Sequence, residues 1–218
     1  MVFHFHPRGY VSGREDFLIY MGRDKHENED LIRFGLPVDV WFHVDNLSSA
    51  HVYLRLPEGV NLEDIPADTL EDCAQLVKQN SIQGCKLNNV DIVYTPWNNL
   101  KKTNGMEIGQ VGFHDAKRVL KYKVDRKVNE IINRLEKTRQ ELTPDFQAEQ
   151  EAYMSQARAA KREEERVKRA EEKAAKEENK RLRDLKGYKH IMKDELMISN
   201  KELASKYASA EEMEEDFM

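Results

Sequence analysis

Val40-Trp41-Phe42-His43-Val44-Asp45 and His51-Val52-Tyr53-Leu54-Arg55-Leu56 are two runs with the period of a strand, joined by the short polar stretch Asn46–Ala50. Successive strand side chains point to opposite faces, so Val40, Phe42 and Val44 share one side of the first run and Trp41, His43 and Asp45 the other. In the second run Val52, Leu54 and Leu56 alternate with His51, Tyr53 and Arg55. Paired as a hairpin across Asn46–Ala50, the runs present one face that is wholly aliphatic or Phe. The opposite face gathers a Trp, two His, a Tyr and an Arg. A sheet that needs only a wet side is served by Lys, Thr and Glu. This second face is therefore expected to be an exposed recognition surface.

Upstream, Val2–Phe5 and Phe17–Met21 have strand character, separated by a Pro7-Arg8-Gly9 turn and the Ser12-Gly13-Arg14-Glu15 connection. Gly22 ends the second strand, and Arg23-Asp24-Lys25-His26 form an exposed loop. Asn28 then precedes Glu29, Asp30, Leu31 and Ile32, with Gly35 behind them. That pattern predicts a short helix with an Asn cap, an acidic first turn and a Gly stop.

Downstream, Pro66 or Asp68 opens an amphipathic helix reaching about Asn80, its apolar stripe made of Leu70, Cys73, Ala74 and Val77. Val90–Thr95 reads as a strand that Pro96-Trp97 breaks. Short strands are expected at Leu100–Lys102 and Gln110–His114 around the Asn104-Gly105 turn, and Val119–Val124 closes the sheet. Many strands with a few inserted helices predict a compact α+β domain over residues 1–124, with a mixed sheet.

From Asp125 the character changes. Val128, Ile131, Ile132 and Leu135 recur at i, i+3, i+4 and i+7, the pattern of a helix docking one face on the domain. Thr143-Pro144-Asp145 is a second start signal, with a Thr cap and Pro in the first helical position. From there to Lys186 the chain has neither Pro nor Gly, and Gly187 ends the run. Residues 125–187 are thus a docking helix followed by a long charged one. Between Arg158 and Arg183 the large aliphatics are only Val167 and Leu182, too few for an a/d seam. Glu164→Lys168, Glu165→Arg169, Glu172→Lys176 and Glu177→Arg181 stand in the favourable i,i+4 order, each worth about 0.2–0.5 kcal/mol. A solitary solvated helix is the preferred expectation, and a dimeric coiled coil the alternative. Residues 188–218 form an acidic tail, expected to be disordered.

The net charge of −5 argues against indiscriminate binding to nucleic acid. Residues 1–124 carry 14 basic and 17 acidic groups, so any anion site there is a local patch rather than a global field. No run of apolar residues is long enough to span a membrane, and no signal-peptide pattern opens the chain. Cys73 falls on a helical stripe and reads as a buried thiol, while nothing pairs Cys85 with a metal or a base. The expectation is a soluble cytoplasmic protein.

Three kinds of chemistry compete for the unusual face. His43 and His51 facing each other near Asp45 would suit a divalent ion, but no CxxC or HxxxH spacing supports one. No metal and no cofactor is expected. There is no Gly-x-Ser-x-Gly elbow, P-loop or dinucleotide fingerprint, and no two carboxylates stand out as a couple, so no enzyme is expected. Nucleic acid fits better. Arg23 and Lys25 sit beside a helix start whose free N–H groups favour anions. Trp41, Tyr53, His43 and His51 offer rings for unpaired bases, Arg55 a guanidinium for phosphate or stacking, and Lys101-Lys102 a further basic pair. Each has a plainer reading: Asn28 as a cap, Trp41 buried under a helix, Arg23 and Lys25 as solvated loop. The combination carries the expectation.

Gly22-Arg23 followed by Asn28, then Asp39-x-Trp41-Phe42-His43, then His51-Val52 with Arg55, resembles the NFACT-R domain. Val93-Tyr94-Thr95, Lys101-Lys102, Gly105 and Gly109–Val111 are similar to that domain's second half, and the resemblance spans about residues 17–115. Two positions depart from it. Ser48-Ser49-Ala50 stands where the family often has Pro-Gly-Ser, and Gly109-Gln110 where it usually has Pro-Gly. The resemblance implies a nucleic-acid-binding module. In large members it accompanies ribosome-associated quality control, with RNA or tRNA on the large subunit as partner. Their elongation and ligase-recruiting work is not expected here. DNA is the other partner it implies, with a plasma-membrane role in sensing extracellular DNA as the alternative. The long helix is an arm for a possible protein partner.

Overall fold

The two runs pair antiparallel as the expected hairpin, and the register sets Trp41 opposite Tyr53 and Phe42 opposite Val52. The computed structural model describes residues 1–8, 16–187, 201–202 and 205. Gly9 of the Pro7-Arg8-Gly9 turn, the whole Ser12–Glu15 connection and all but three residues of the acidic tail expected over 188–218 lie outside those residues.

The elements in chain order are β1 (Val2–Phe5), β2 (Leu18–Gly22), α1 (Lys25–Phe34), β3 (Asp39–Val44) and β4 (Val52–Arg55). Then come α2 (Ala67–Gln79), β5 (Val90–Pro96), β6 (Leu100–Lys101), β7 (Gly112–Phe113) and β8 (Leu120–Val124). Last are α3 (Asn129–Lys137), β9 (Gln140–Leu142) and α4 (Phe146–Lys186). Seven strands form one sheet in the order β8-β5-β3-β4-β2-β1-β9, and β6 and β7 make a separate two-stranded ribbon. The fold is α+β, and the strand pairs among the described residues are antiparallel throughout.

One sheet face is the expected apolar one. Phe5, Ile19, Phe42, Val52, Leu54 and Ile92 are fully buried there, against Cys73, Leu76 and Val77 of α2 and Leu135 of α3. Removing each such side chain from water stabilises the fold by about 1.5–3 kcal/mol. Polar bonds fix how the two helices lie. The Arg134 guanidinium reaches the buried Asp72 carboxylate at 2.5 Å, and the Gln75 amide bonds Arg126 O and Val128 N at 3.0 Å each. The Asn46–Ala50 loop is tied to the end of α2 by Ala50 N–H to Asn80 O (3.1 Å) and Ser81 Oγ to Ser48 O (2.6 Å).

The opposite face is where the structure departs from expectation. Val2, Tyr20, Trp41, Tyr53 and Val93 are buried there together with Leu31 of α1. The β6–β7 ribbon adds Leu100 and Phe113, and Phe146 of α4 packs on the same cluster. Alternation along a strand fixes which side a residue takes. It is silent on whether a later segment returns to cover that side.

The chain divides into two compact units, Met1–Gln156 and Ala157–Met218. The first runs past Val124: α3 buries Ile131, Ile132 and Leu135, and β9 pairs with β1, setting Leu142 opposite Val2. β9 left no trace in the sequence because Gln140, Glu141 and Leu142 are all exposed. α4 starts at Phe146, with Asp145 Oδ1 accepting from Ala148 N (3.1 Å), so Asp145 rather than Thr143 caps it. In the second unit the helical residues are exposed almost without exception. Among the described residues their ion pair joins Glu163 and Arg166 at i,i+3 (2.6 Å). No described helix is long and apolar enough to cross a membrane.

Candidate nucleic-acid interface

Asp24 starts α1. Its backbone is extended (φ −142°), and its carboxylate accepts from His26 N at 2.9 Å and Glu27 N at 3.1 Å. Those amides, chiefly that of Glu27, hold the carboxyl below its usual range. Asn28 is therefore not the cap. It lies inside the helix, buried against Gly22, where an added Cβ would stand 2.6 Å from its Oδ1. The missed signal was the spacing of Asp24 and Glu27, a cap followed three residues later by Glu. Glu27 indeed turns back, accepting from Arg23 N at 2.8 Å and meeting the Met1 ammonium. Arg23 and Lys25 stay exposed, with Arg23 only 3.9 Å from Asp24 at its nearest.

Trp41 and Tyr53 are not open rings: they are 2% and 0% exposed. The Trp41 indole donates to His51 Nδ1 at 3.0 Å and lies parallel to the His43 ring, with centroids 5.4 Å apart. Phe113 meets Trp41 edge-on at 5.7 Å. Tyr53 stacks on Tyr20 at 5.1 Å, and its buried hydroxyl finds no hydrogen-bond partner among the described residues. What covers this face is held firmly. The Trp97 indole donates to Ile32 O at 2.9 Å, passing so close to Gly35 that a Cβ there would lie 2.2 Å from it.

Arg55 stands at the other end of β4 from His51. Its Nε donates to the fully buried Asp39 at 3.0 Å, and its guanidinium covers the Tyr20 ring at 5.2 Å. Asp39 also accepts from Tyr20 OH (2.7 Å) and Leu36 N (2.8 Å). Arg55 is thus committed to a buried carboxylate and is not free for phosphate. Lys102 is committed too, donating to Glu29 Oε2 (2.9 Å), Glu107 O (2.7 Å) and Gln110 O (3.0 Å). Lys101 remains exposed.

The predicted set therefore divides. β2 and β4 pair Met21 with Val52, so Gly22 and His51 come one step further on, and His43 lies beside them on β3. Arg23, Lys25, Asn28, His43 and His51 gather at this end of the sheet. Tyr53 is sealed midway, and Arg55 belongs to the far end.

Between Trp41, His43 and His51 on one side and the loop 109–111 on the other lies a cavity of about 280 Å³. Gly109 has φ +83°, a conformation that glycine adopts without steric cost. Its N–H donates to Glu29 Oε2 at 2.9 Å. Burial, with His43 nearby, lowers His51 to about 3, and burial likewise lowers His43. Glu29, Gly109 and Phe113 were not foreseen as parts of this site. Glu29 sits among the helix's acidic residues, and no local pattern marks it as an anchor for a distant loop. A larger cleft of about 730 Å³ opens at the far end of the sheet, where Lys117 and Arg118 face Glu63 and Asp64. Its walls carry both signs of charge.

A family model described as "NFACT protein RNA binding domain" matches residues 1–115. Coiled-coil domain-containing protein 25 of Bos taurus is 52% identical over 202 residues, covering 93% of this chain and 96% of that one. Its Danio rerio counterpart is 56% identical over the same length and shares. Protein JLP2 of Saccharomyces cerevisiae is 43% identical over 135 residues, 61% of this chain and 65% of that one.

Proposed function

The chain belongs to the NFACT protein RNA-binding domain family, and from that premise we propose that it is a non-enzymatic RNA-binding protein. It holds the strand at the end of the sheet where α1 begins. One observation carries the reading: exposed Arg23 and Lys25 share that end with the half-buried His43 at the mouth of the Trp41 cavity. The two cations attract phosphate by their charge, the first amides of α1 being taken by Asp24. Rings below them offer a surface for bases, which is how single-stranded RNA is read. This replaces the open two-stranded platform by a narrower site.

RNA of the large ribosomal subunit or tRNA, the partner that the resemblance to large family members implies, is the proposed target. The charged helix of the second unit serves as an arm for a protein partner. The test is titration of labelled single-stranded RNA into the full chain at two salt concentrations, with duplex DNA as competitor. Arg23→Glu with Lys25→Glu should weaken binding at least tenfold. It should also flatten the salt dependence, by about 0.7 in the logarithmic slope for each phosphate that is no longer neutralised. Equal affinities and slopes in both proteins would remove the site from this end of the sheet.

A further inference from the structure

The cavity under the Gly109 loop has the shape and the leftover polar groups of a binding pocket. At about 280 Å³ it lies just below the range for ligand sites, roughly 300–1,000 Å³. That suits one flat heterocycle rather than a stack of two. Its walls are rings at different angles. His43 lies parallel to Trp41, while Phe113 is tilted 62° to the indole and His51 is 77° from His43.

His43 and Asp45 place hydrogen-bond acceptors on one wall of the cavity. His43 Nδ1 is 2.7 Å from Val44 O, an acceptor, so that nitrogen carries the proton and Nε2 is left as an acceptor. Asp45, also lining the cavity, adds a carboxylate, paired with Lys121 at 2.6 Å. Trp41 N–H is occupied by His51, and Gly109 N–H by Glu29. Asn46 and Gln110 also line the cavity with side-chain amides that can donate or accept, while the acceptors on its ring wall are His43 Nε2 and the Asp45 carboxylate. The roof is held by the Gly109 N–H on Glu29 Oε2.

Resting on the RNA-binding reading above, we propose that this cavity receives a single unstacked nucleobase bearing an exocyclic amine. The ring lies among Trp41, His43 and Phe113, and its amino group donates to His43 Nε2 or Asp45. Uracil, which has no exocyclic amine, fits the same space but has no exocyclic donor for His43 Nε2 or Asp45. Phosphates of the same strand run toward Arg23 and Lys25, since His51 and Gly22 are neighbours across β4 and β2.

The experiment uses the full chain with short oligoadenylate, oligocytidylate and oligouridylate and an RNA duplex. Adenylate and cytidylate should bind about tenfold more tightly than uridylate, in keeping with the strength of base–aromatic stacking and one added hydrogen bond. Val111→Trp, which fills the cavity from its half-exposed rim, should remove most of that preference and leave duplex affinity unchanged, and His43→Ala should remove the preference as well. Ring resonances of His43 in the unaltered protein should move on adding oligoadenylate and stay still with duplex, a readout independent of any variant's folding. Equal binding of all three oligonucleotides, or unmoved His43 resonances at saturation, overturns the pocket while leaving RNA binding intact. Absence of binding to every probe overturns the RNA-binding reading as well.

Discussion

Trp41 donates its indole N–H to Nδ1 of His51 across 3.0 Å, joining two side chains that were expected to face water. The bond fixes the tautomer of His51, keeps its ring neutral and closes the floor of the cavity. His51 thereby becomes a source of pH-dependent stability.

Its value is lowered to about 3 by burial, whereas the unfolded chain takes the ordinary 6.5. Below pH 6.5 the unfolded state binds a proton that the folded state refuses. Stability from this group is thus full above 6.5, falls as the pH drops, and is lost by about pH 3. The slope is about 1.4 kcal/mol per pH unit. We expect His51→Asn, which keeps an acceptor for Trp41, to lose about 2 kcal/mol less than the unaltered protein between pH 7 and pH 5. Urea unfolding at the two pH values measures it, and parallel losses would show that His51 titrates normally in the fold.

Arg55 and Asp39 yield a prediction that separates structure from binding. Arg55→Ala leaves the buried Asp39 carboxylate without its cation, although Tyr20 OH and Leu36 N still donate to it. Removing one member of such a pair costs about 3–5 kcal/mol. The melting temperature should fall by roughly 10 °C. RNA affinity of the folded protein should not change. A loss of affinity with an unchanged melting curve would return Arg55 to the binding site.

Gly35→Ala tests the cover over the second sheet face. The new Cβ would lie 2.2 Å from Trp97 Nε1, so the indole must move and its bond to Ile32 O must break. Overpacking of this kind costs about 1–3 kcal/mol. Trp97→Leu in the same chain should recover much of that cost. Calorimetry of the single and double variants decides, and independent, additive losses would mean that the two residues do not meet.

Truncation after Gln156 should leave a folded, RNA-binding unit. β9 and the first turns of α4, including the Gln150 amide bond to Gly35 O (2.9 Å), are retained by that cut. We expect the melting temperature to stay within a few degrees and affinity for single-stranded RNA within about twofold, under the scatter of about 0.5 kcal/mol for distant changes. A large loss of affinity would place part of the interface on residues 157–218.

The strand runs, the hairpin across Asn46–Ala50, the stripe of α2 and the docking face of α3 were all legible as residue patterns. They follow from periods of 2 and 3.6, which are local properties of the backbone. The resemblance carried by Trp41-Phe42-His43 and His51 was legible too, and the match over residues 1–115 agrees with it. Less visible was the choice of cap on α1, where Asp24 and Asn28 compete and only the packing of Asn28 against Gly22 settles the matter.

What the amino-acid order determined by itself is the side of the sheet on which each ring stands. Whether that side meets water was decided by tertiary structure alone. α1, the β6–β7 ribbon and Phe146 come back over it from other parts of the chain, held by Trp97 on Ile32 and by Glu29 on Gly109. Burial depends on what else occupies the space above a residue. That is a relation between distant segments, and no period along one strand encodes it.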